Sequence, residues 1–464
     1  IVQPDSSPVP GAWVGFEGNW IGASDAAGVF RWEGELPDTL RIHSTGFMDW
    51  SGVLPASGDT VVLQPAVIDT GESITVLASR GELKRHVPSA RTLGGGELST
   101  ISLLGMERLG SVPGVTVREY GGAVPIVSVS LRGSDPGRAD YMVDGVSVVS
   151  PRDGMPTGVF DPSVFGSLEI ASGGGIPGGS GSGALNWLPP SGSSPASVTV
   201  SCFTQGAFGA SARFGRTGIS AKRTVGVEGT DGFSASGVST FAGSRFSGGI
   251  LGGWAAGGTE SPIWTVQGDG ERSQAQVEGW LTVSEGSFEL DLSGGSGYMA
   301  FSQTEPYQAD DTHRDHTARV AGAWNGPVTV MASLRGSRAI STATGDNSQW
   351  AGTVNGVLSR DRFSLHAGME HDGVTPLFQG RASVTGIPVH SMITCHLSAF
   401  ASGRRPTLND LYWPFDGTTA GNPDLRAERT LGAEAGAMWS GSSFTGETCL
   451  FLQSTEDLIL WLPG

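Results

Sequence analysis

Clustered positive charge is what this sequence most clearly lacks. Its 464 residues include 28 Lys and Arg against 45 Asp and Glu, which gives a formal net charge of −17. Lysine is almost absent, since only Lys84 and Lys222 occur, and the arginines are spread along the chain. Such an acidic chain repels a phosphate backbone, and we therefore predict that nucleic acid is not a partner.

Cysteine and long apolar runs are also scarce. Cys202, Cys395 and Cys449 lie far apart and form no C-x-x-C pair, which argues against a disulfide framework or a zinc site. No stretch reaches the roughly 18 consecutive apolar residues of a membrane-spanning helix, and no signal-peptide pattern follows Ile1. The chain is therefore soluble, or a membrane β-barrel, or a product whose leader has been removed.

Glycine is abundant, with 73 residues, and the length of the chain predicts several domains. Residues 1–66 contain short alternating runs such as AWVGF and TLRIHS, separated by Pro-Gly and Leu-Pro-Asp turns. This pattern predicts a small β-sandwich. His43 has no partner at zinc-ligand spacing, so this zone offers no candidate catalytic site.

Residues 81–195 show a different pattern. The run ELSTISLLGMERLGSV, residues 97–112, places apolar side chains at about 3.6-residue spacing, which indicates one helix. Short strands and Gly turns follow, so this zone is predicted to be an α+β domain. GGGIPG at 173–178 formally matches G-x-G-x-x-G, but it contains a Pro and no helix pattern follows, which argues against dinucleotide binding.

Residues 196–464 form a long series of alternating runs. In AQVEGWLTV, residues 275–283, alternate side chains form one mostly apolar face and one polar face. Tight turns such as Glu285-Gly286 separate such runs, while the polar stretch TEPYQADDTHRDHT, residues 304–317, predicts a long loop at the other end. Short turns at one end and long loops at the other are typical of an outer-membrane β-barrel.

Four motifs in residues 81–195 resemble the plug of TonB-dependent outer-membrane receptors. In the family's order they are SVPGVTVREYGG, VSVSLRGS, ADYMVDGVSV and FGSLEIASGGG. Further along, RRPTLNDLYW, GNPDLRAERTLGAEAG and EDLILW are similar to the barrel signature of the same family, especially its cobalamin and siderophore receptors. The resemblance implies a mainly β protein in which an α+β plug fills a large antiparallel transmembrane β-barrel.

Residues 1–66 resemble the carboxypeptidase regulatory-like domain, through PVPGAWV, SDAAGVFRWEG, TLRIHSTGF and DTVVLQP in that order. Such a domain is a known type of N-terminal extension in the receptor family. The resemblance implies an outer-membrane protein of a Gram-negative bacterium with this domain in the periplasm. It implies TonB and outer-membrane lipid as partners, no cofactor, no catalytic residues and no enzymatic activity.

Residues 67–80 form a linker that contains a candidate TonB box. The family draws its energy from the inner membrane through a short segment that adds a β-strand to TonB. The resemblance assigns this role to the six residues Glu72, Ser73, Ile74, Thr75, Val76 and Leu77. Alternating runs of this length also arise by chance, and an ordinary linker strand remains the alternative.

Two charged residues of the plug zone precede glycines in tight turns, Arg132 before Gly133 and Asp144 before Gly145. Glycine permits the positive φ of such turns. A charge enclosed between plug and barrel needs a partner, because burying it alone is expensive. Strand parity directs Glu434 into the lumen, and the family pairs plug arginines with barrel glutamates. We therefore predict that Arg132, Asp144 and Glu434 make plug–barrel contacts, with an ion pair between Arg132 and a barrel carboxylate, Glu434 being the candidate.

The resemblance places ligand specificity in the plug apex loops and the extracellular barrel loops. The ligand-binding candidates, chosen by loop position, are Glu119, Tyr120, Arg152, Asp153, Trp413 and Asp416. The implied ligand is a small molecule, a ferric siderophore or cobalamin. The DDTHRDH run at 310–316 has residue types that suit a metal but no tetrahedral spacing motif, so a solvated loop without metal is predicted.

Other functions stay open at this point. An outer-membrane sensor or surface-binding barrel would capture its ligand without import, and a glycan importer would share the same motifs. A secreted all-β glycan-processing enzyme would need a catalytic pair of carboxylates in a cleft. Binding of residues 72–77 to TonB favours transport over the sensor.

Two features depart from the family pattern. GALNWLPPSG, at 183–192, replaces a Gly-Gly-Val-Ile-Asn type sequence, which leaves the last plug strand open. With ~9–11 residues for each spanning strand, residues 197–464 contain about 17 strands, whereas the family's barrels have about 22. The ending LILWLPG also lacks an aromatic last residue. We predict a truncated, unclosed barrel from which about five strands are absent, with an exposed edge.

Overall fold

The structure of this chain is a computed structural model. It describes residues 8–9, 12–16, 19–25, 27–31, 40–43, 50–52, 60–62, 87, 89–104, 106–120, 123–124, 126–156, 160–176, 182–192, 196–202, 207–225, 230–260, 269–303, 309–360, 362–390, 392–415, 419–440 and 445–461. Among these residues, no helix combines the length and the apolar character needed to cross a membrane.

The N-terminal zone contains a four-stranded antiparallel sheet with the strand order β2-β1-β3-β4. Its strands are β1 (Trp13–Phe16), β2 (Asn19–Ala23), β3 (Leu40–His43) and β4 (Trp50–Gly52). A small core of Val9, Val14, Leu40, Ile42 and Val61 packs against the sheet. The described residues of this zone include one sheet only, so the second sheet of the predicted sandwich is not among them.

The plug zone is an α+β domain. It contains the helix α1 (Gly95–Leu104) and the strands β5 (Arg91–Gly94), β6 (Val115–Tyr120), β7 (Ile126–Leu131), β8 (Ala139–Val143), β9 (Val146–Ser147), β10 (Ser167–Ser172) and β11 (Gly183–Leu188). The predicted helix is shorter than expected, because its second half, Met106–Ser111, is a 3₁₀ helix.

Seven of these strands form two sheets, a five-stranded sheet with the order β5-β10-β11-β8-β9 and a β6-β7 hairpin. The last plug strand, which the sequence left open, is β11, since GALNWL pairs antiparallel with β10 and parallel with β8. The apolar side of the sheet and helix α1 share one core, in which the rings of Phe165 and Trp187 lie 5.2 Å apart.

Among the described residues, the remaining strands form one sheet of fifteen consecutive antiparallel strands, whereas the sequence predicted roughly 17. They are β12 (Ser197–Cys202), β13 (Phe208–Phe214), β14 (Thr217–Val225), β15 (Asp231–Ala242), β16 (Phe246–Glu260), β17 (Asp269–Glu285), β18 (Phe288–Gln303), β19 (Ala309–Trp324), β20 (Thr329–Ser341), β21 (Gly345–Arg360), β22 (Phe363–His371), β23 (Pro376–His390), β24 (Ile393–Arg404), β25 (Glu428–Ser440) and β26 (Thr445–Glu456).

The two faces of this sheet follow the alternation of the sequence. On β18, for example, Leu290 and Leu292 are exposed on the outer face, while Glu289 and Asp291 are buried on the inner face. An apolar outer face suits lipid and a polar inner face suits a lumen, as in transmembrane β-barrels. The mainly β fold class with an α+β plug and a large antiparallel sheet is therefore confirmed.

The sheet does not close on itself within the described residues. β12 and β26 occupy its two edges, and each pairs with one neighbour only. The prediction of an unclosed barrel is confirmed to this extent. The absence of about five strands stays a prediction.

The connections distinguish the two ends of the sheet. Residues 286–287 connect β17 to β18, whereas 261–268 connect β16 to β17 at the opposite end. The longest connection, 405–427 between β24 and β25, carries the short helix α2 (Leu408–Tyr412) at that same opposite end. Since outer-membrane barrels have short periplasmic turns and longer extracellular loops, the end that carries α2 corresponds to the extracellular end of such barrels.

The polar run at 310–316 corrects one prediction. It was expected to be a loop, and it lies instead within β19, paired with β18 and β20. Buried His313 and Asp315 alternate there with exposed Arg314 and His316. Strands of this length continue beyond the lipid on the extracellular side, where polar side chains no longer mark a loop.

Candidate functional site

The plug turn at Arg132 lies against the barrel wall. Arg132 and Gly133 both have positive φ, 52° and 75°, as in type I′ turns. Nη2 of Arg132 lies 2.7 Å from Oε2 of Glu434, and the two side chains are 5% and 0% exposed. The structure therefore brings together these two residues, on which the sequence analysis based a plug–barrel contact.

Glu434 is shared with a second arginine. Arg381, on β23, donates to the other carboxylate oxygen of Glu434 and also to Oγ of Ser398. Two buried cations and one carboxylate leave excess positive charge, and additional partners disperse it. Arg381 donates to the carbonyl oxygen of Gly174 at 3.2 Å, and the guanidinium of Arg132 lies 4.6 Å from the ring centroid of Phe451.

Arg381 was not predicted from the sequence, and neither was a second buried ion pair between plug and barrel. Nε and Nη2 of Arg138 donate to both carboxylate oxygens of Glu428, at 2.7 and 2.8 Å. Burial lowers the pKa of Arg138, but the hydrogen bond and the charge of Glu428 outweigh it and raise the pKa. Glu428 precedes Glu434 by an even number of residues on one strand, and this parity was a signal for its inward position.

Asp144 occupies the second plug turn. Its φ is 49° and that of Gly145 is 76°, so this turn also has two positive φ angles. The indole Nε1 of Trp280, on β17, donates to Oδ2 of Asp144 at 3.1 Å. The contact with the barrel is thus made by a tryptophan.

A glycine loop of the plug lies directly on the barrel strands. A Cβ on Gly175, where φ is +70°, would lie 2.2 Å from the carbonyl oxygen of Gly380 on β23. Buried His366, on β22, holds the carbonyl oxygen of Gly175 at 2.9 Å through Nδ1. Backbone contact this close is open to glycine alone.

A cavity of about 350 Å³ lies between the plug and the barrel wall at the extracellular end. Three of the residues predicted to bind ligand, Glu119, Arg152 and Asp153, line this cavity. They are joined by apolar plug residues and by the barrel residues Lys222, Arg223, Phe233, Arg272, Gln274 and Met299. The dimensions and the mostly apolar lining are those of small-molecule sites.

The plug loop that carries Arg152 is fixed from two sides. Oγ of Ser150 donates to Oδ2 of Asp315 at 2.6 Å. The backbone N–H groups of Leu408 and Asn409, at the start of α2, donate to the carbonyl oxygens of Pro151 and Arg152 at 3.1 and 2.9 Å. An extracellular loop of the barrel thus holds one wall of the cavity.

Of the other predicted ligand-binding residues, the structure describes the side chain of Trp413, which does not line this cavity. Trp413 follows α2, and its backbone N–H donates to the carbonyl oxygen of Asn409. Tyr120 belongs to β6, but its side chain lies outside the described part of the chain, as does Asp416. The candidate TonB box, residues 72–77, lies outside the described residues as well.

No group of three or more His, Cys, Asp or Glu side chains that would suit a metal ion occurs in the described part of the chain. Within the polar run of β19, Nδ1 of His313 lies 2.8 Å from Oγ of Ser341. The imidazole of His313 is therefore hydrogen-bonded to the neighbouring strand β20.

Residues 171–464 match the family model of the TonB dependent receptor-like β-barrel. No curated protein matches the sequence.

Several solved structures share the fold. A variant of the ferric enterobactin receptor PfeA from Pseudomonas aeruginosa has 12% sequence identity and a TM-score of 0.61, with 81% of this chain and 72% of that chain covered. The siderophore receptor PirA from the same organism has 14% identity and a TM-score of 0.55, with 81% and 78% covered. The ferric yersiniabactin uptake receptor FyuA from Yersinia pestis has 13% identity and a TM-score of 0.53, with 81% and 74% covered. Identities this low establish the fold and leave the ligand open.

Proposed function

This chain belongs to the TonB-dependent receptor family, and from that premise we propose that it imports a ferric siderophore with energy delivered by TonB. The barrel fold implies an outer-membrane protein of a Gram-negative bacterium. Members of the family are transporters and not enzymes. The ligand and the coupling mechanism are the parts that we propose.

The extracellular cavity between plug and barrel is the observation that supports this function. It lies at the end of the sheet that carries the long loops, and Arg152 and Asp153 of the plug line it. A ligand bound there touches the plug directly, so that movement of the plug changes the ligand's contacts. Two buried plug–barrel ion pairs, Arg132 with Glu434 and Arg138 with Glu428, hold the plug in the lumen.

The proposed ligand class follows from the structural neighbours. PfeA, PirA and FyuA are described as receptors for ferric enterobactin, a siderophore and ferric yersiniabactin. Cobalamin remains the alternative ligand, on the sequence resemblance alone. A sensor that binds without import is the alternative function.

The periplasmic part of the proposal concerns residues 1–80. Residues 72–77 are proposed as the TonB box, and residues 1–66 as a periplasmic carboxypeptidase regulatory-like domain. A TonB box acts by pairing its backbone with a strand of TonB, and proline removes one of the required N–H groups.

Uptake by cells that express the full-length protein tests the proposal. We expect the wild type to accumulate radioactive iron supplied as ferric siderophores, and Val76→Pro to abolish uptake while surface binding persists. Val76→Thr keeps the backbone donor and serves as the matched control. Binding without uptake in the wild type would favour the sensor, and uptake of labelled cobalamin alone would replace the siderophore as ligand.

A further inference from the structure

The charges around the extracellular cavity already have partners inside the protein. Arg152 Nη2 lies 2.8 Å from Oδ2 of Asp153, and Lys222 Nζ lies 2.6 Å from Oδ2 of Asp161. These four side chains line the cavity. Positive charge there is therefore matched by carboxylates within ion-pair distance.

The other two cations of the lining also have partners inside the protein, which are a carboxylate for Arg223 and a thioether sulfur for Arg272. Arg223 Nη2 lies 2.8 Å from Oδ1 of Asp231. Arg272 Nη2 donates to Sδ of Met299 at 3.2 Å. A polyanionic ligand would have to separate guanidinium or ammonium groups from their carboxylates and leave those carboxylates facing the ligand's own negative charge.

Several side-chain polar atoms of the lining are buried, and two of them are suited to contact a bound molecule because they have no hydrogen-bond partner among the described residues and their side chains face the cavity. They are Nε of Arg152, a donor, and Oε1 of Gln274, an acceptor. The two residues are 6% and 3% exposed. Buried polar groups are normally satisfied, so these atoms are suited to one acceptor and one donor of a bound molecule.

From these observations we infer that the cavity selects an uncharged ligand, with Arg152 and Gln274 as its polar contacts. The inference rests on the proposed siderophore import and specifies the charge of the chelate. Iron(III) bound by three hydroxamates, each a monoanion, is neutral, whereas iron(III) bound by three catecholates, each a dianion, is a trianion. The neutral tris-hydroxamate complex is the class that fits.

Binding to the purified full-length protein in detergent tests this inference. The probes are a ferric tris-hydroxamate and a ferric tris-catecholate, each titrated by quenching of tryptophan fluorescence. We expect the neutral chelate to bind at least about tenfold more tightly, since each charged hydrogen bond that the trianion disrupts in the lining is worth about one order of magnitude in affinity. Tighter binding of the trianion would overturn the inference and leave siderophore import standing.

Charge variants make the test specific to the cavity. Asp153→Asn releases Arg152 from its carboxylate, so we expect it to raise the affinity for the trianion about tenfold and thereby to remove the preference for the neutral chelate. Asp346→Asn changes the net charge equally but lies in an exposed ion pair with Arg338, outside the cavity lining, and should alter neither affinity. Equal effects of the two variants on the trianion would refute the role of the internal pairs.

A third variant tests the polar contact, and a folding control completes the set. Gln274→Leu removes the acceptor while keeping similar bulk, and we expect the affinity for the neutral chelate to fall about tenfold. Unchanged affinity would remove Gln274 from the site. Heat-modifiable migration on a gel establishes that each variant retains its barrel. If the folded wild type binds neither chelate, the proposed siderophore function itself fails, and the inference with it.

Discussion

The buried hydroxyl of Tyr141 makes the stability of the plug depend on pH. The Tyr141 side chain is 6% exposed, and its hydroxyl lies 3.3 Å from both the N and the O atoms of Val129. Burial raises the pKa of Tyr141 to about 12, while the hydrogen bond with the Val129 backbone lowers it and the charges of Asp135 and Asp153 raise it. The phenol therefore stays protonated in the folded plug at pH values that ionise it in an unfolded chain.

This raised pKa predicts a loss of plug stability at alkaline pH. The contribution of Tyr141 is fully present below pH ~10, the unfolded value, and is lost as the pH rises towards 12, by up to roughly 2–3 kcal/mol. Tyr141→Phe should cost about 1 kcal/mol at neutral pH and flatten the alkaline loss. Both the cost at neutral pH and the alkaline loss can be measured by hydrogen exchange of β7 and β8 between about pH 8 and 12, a range that brackets this window. Tyr298→Phe, on the outer face of the barrel, should reproduce the wild-type curve, and an equally steep loss in Tyr141→Phe would contradict the assignment.

Sequence reasoning reached some contacts of individual residues and not others. Strand parity indicated that Glu434 faces inward, and the need to pair a buried charge pointed to Arg132 as its partner. Parity predicts which face of a strand a side chain occupies, but not where that side chain lies along the barrel axis relative to the plug. The ion pairs of Arg381 with Glu434 and of Arg138 with Glu428 could therefore be recognised only in three dimensions.

At the scale of elements, the glycine loop of the plug fixes its distance from the barrel. Gly175→Ala places a methyl group against the Gly380 carbonyl and strains a left-handed backbone, which alone costs about 1–2 kcal/mol. We expect the loop to move away from β22 and β23 and to lose the hydrogen bond to His366. Faster hydrogen exchange of β10 and β11 would report this change.

A matched glycine separates the two effects of that substitution. Gly286 has φ +59°, and nothing lies within 4 Å of its added Cβ, so Gly286→Ala carries the backbone strain without the contact. It should leave exchange in the plug unchanged. If Gly175→Ala behaves like Gly286→Ala, the close approach of the loop to β23 has no energetic role.

Elements were predicted where composition and periodicity agreed. The hairpins of the large sheet have apolar outer faces and glycine turns, and both signals point to strands. The run at 310–316 was misassigned because strands that extend beyond the membrane are as polar as loops. The number of strands was overestimated for a related reason, since strands of 15–17 residues such as β16 and β17 exceed the length needed to span the lipid.

At the scale of the molecule, buried ion pairs join plug and barrel. Glu434→Gln would leave Arg132 and Arg381 without their shared carboxylate, and loss of one partner of a buried pair costs about 3–5 kcal/mol. We expect the plug of this variant to be cleaved by protease faster than that of the wild type. Expressing cells should also become more permeable to a large antibiotic.

The control for this prediction is an exposed ion pair of the same chemistry. Glu285 pairs with Arg245, with side chains that are 69% and 65% exposed. Glu285→Gln should change neither protease sensitivity nor permeability, because exposed pairs contribute about 0–1 kcal/mol. Similar behaviour of both variants would show that Glu434 does not retain the plug.

The overall architecture was accessible from the sequence because it repeats. Many alternating strands in succession indicate one large sheet, and four plug motifs in the family's order indicate one plug domain. Ligand identity has no comparable repetition, since it depends on a few side chains from separate elements such as Arg152 and Gln274. Those side chains meet only when the plug is seated in the barrel.

The two backbone hydrogen bonds between the start of α2 and the loop of Pro151 and Arg152 also determine where force travels. A pull on the plug from the periplasm stretches these bonds, because they connect it to a loop outside the membrane. They must break, or the loop must follow, before this wall of the cavity can descend. Under the proposed import, the mechanical work needed to release a ligand therefore includes a part that is done at the cell surface.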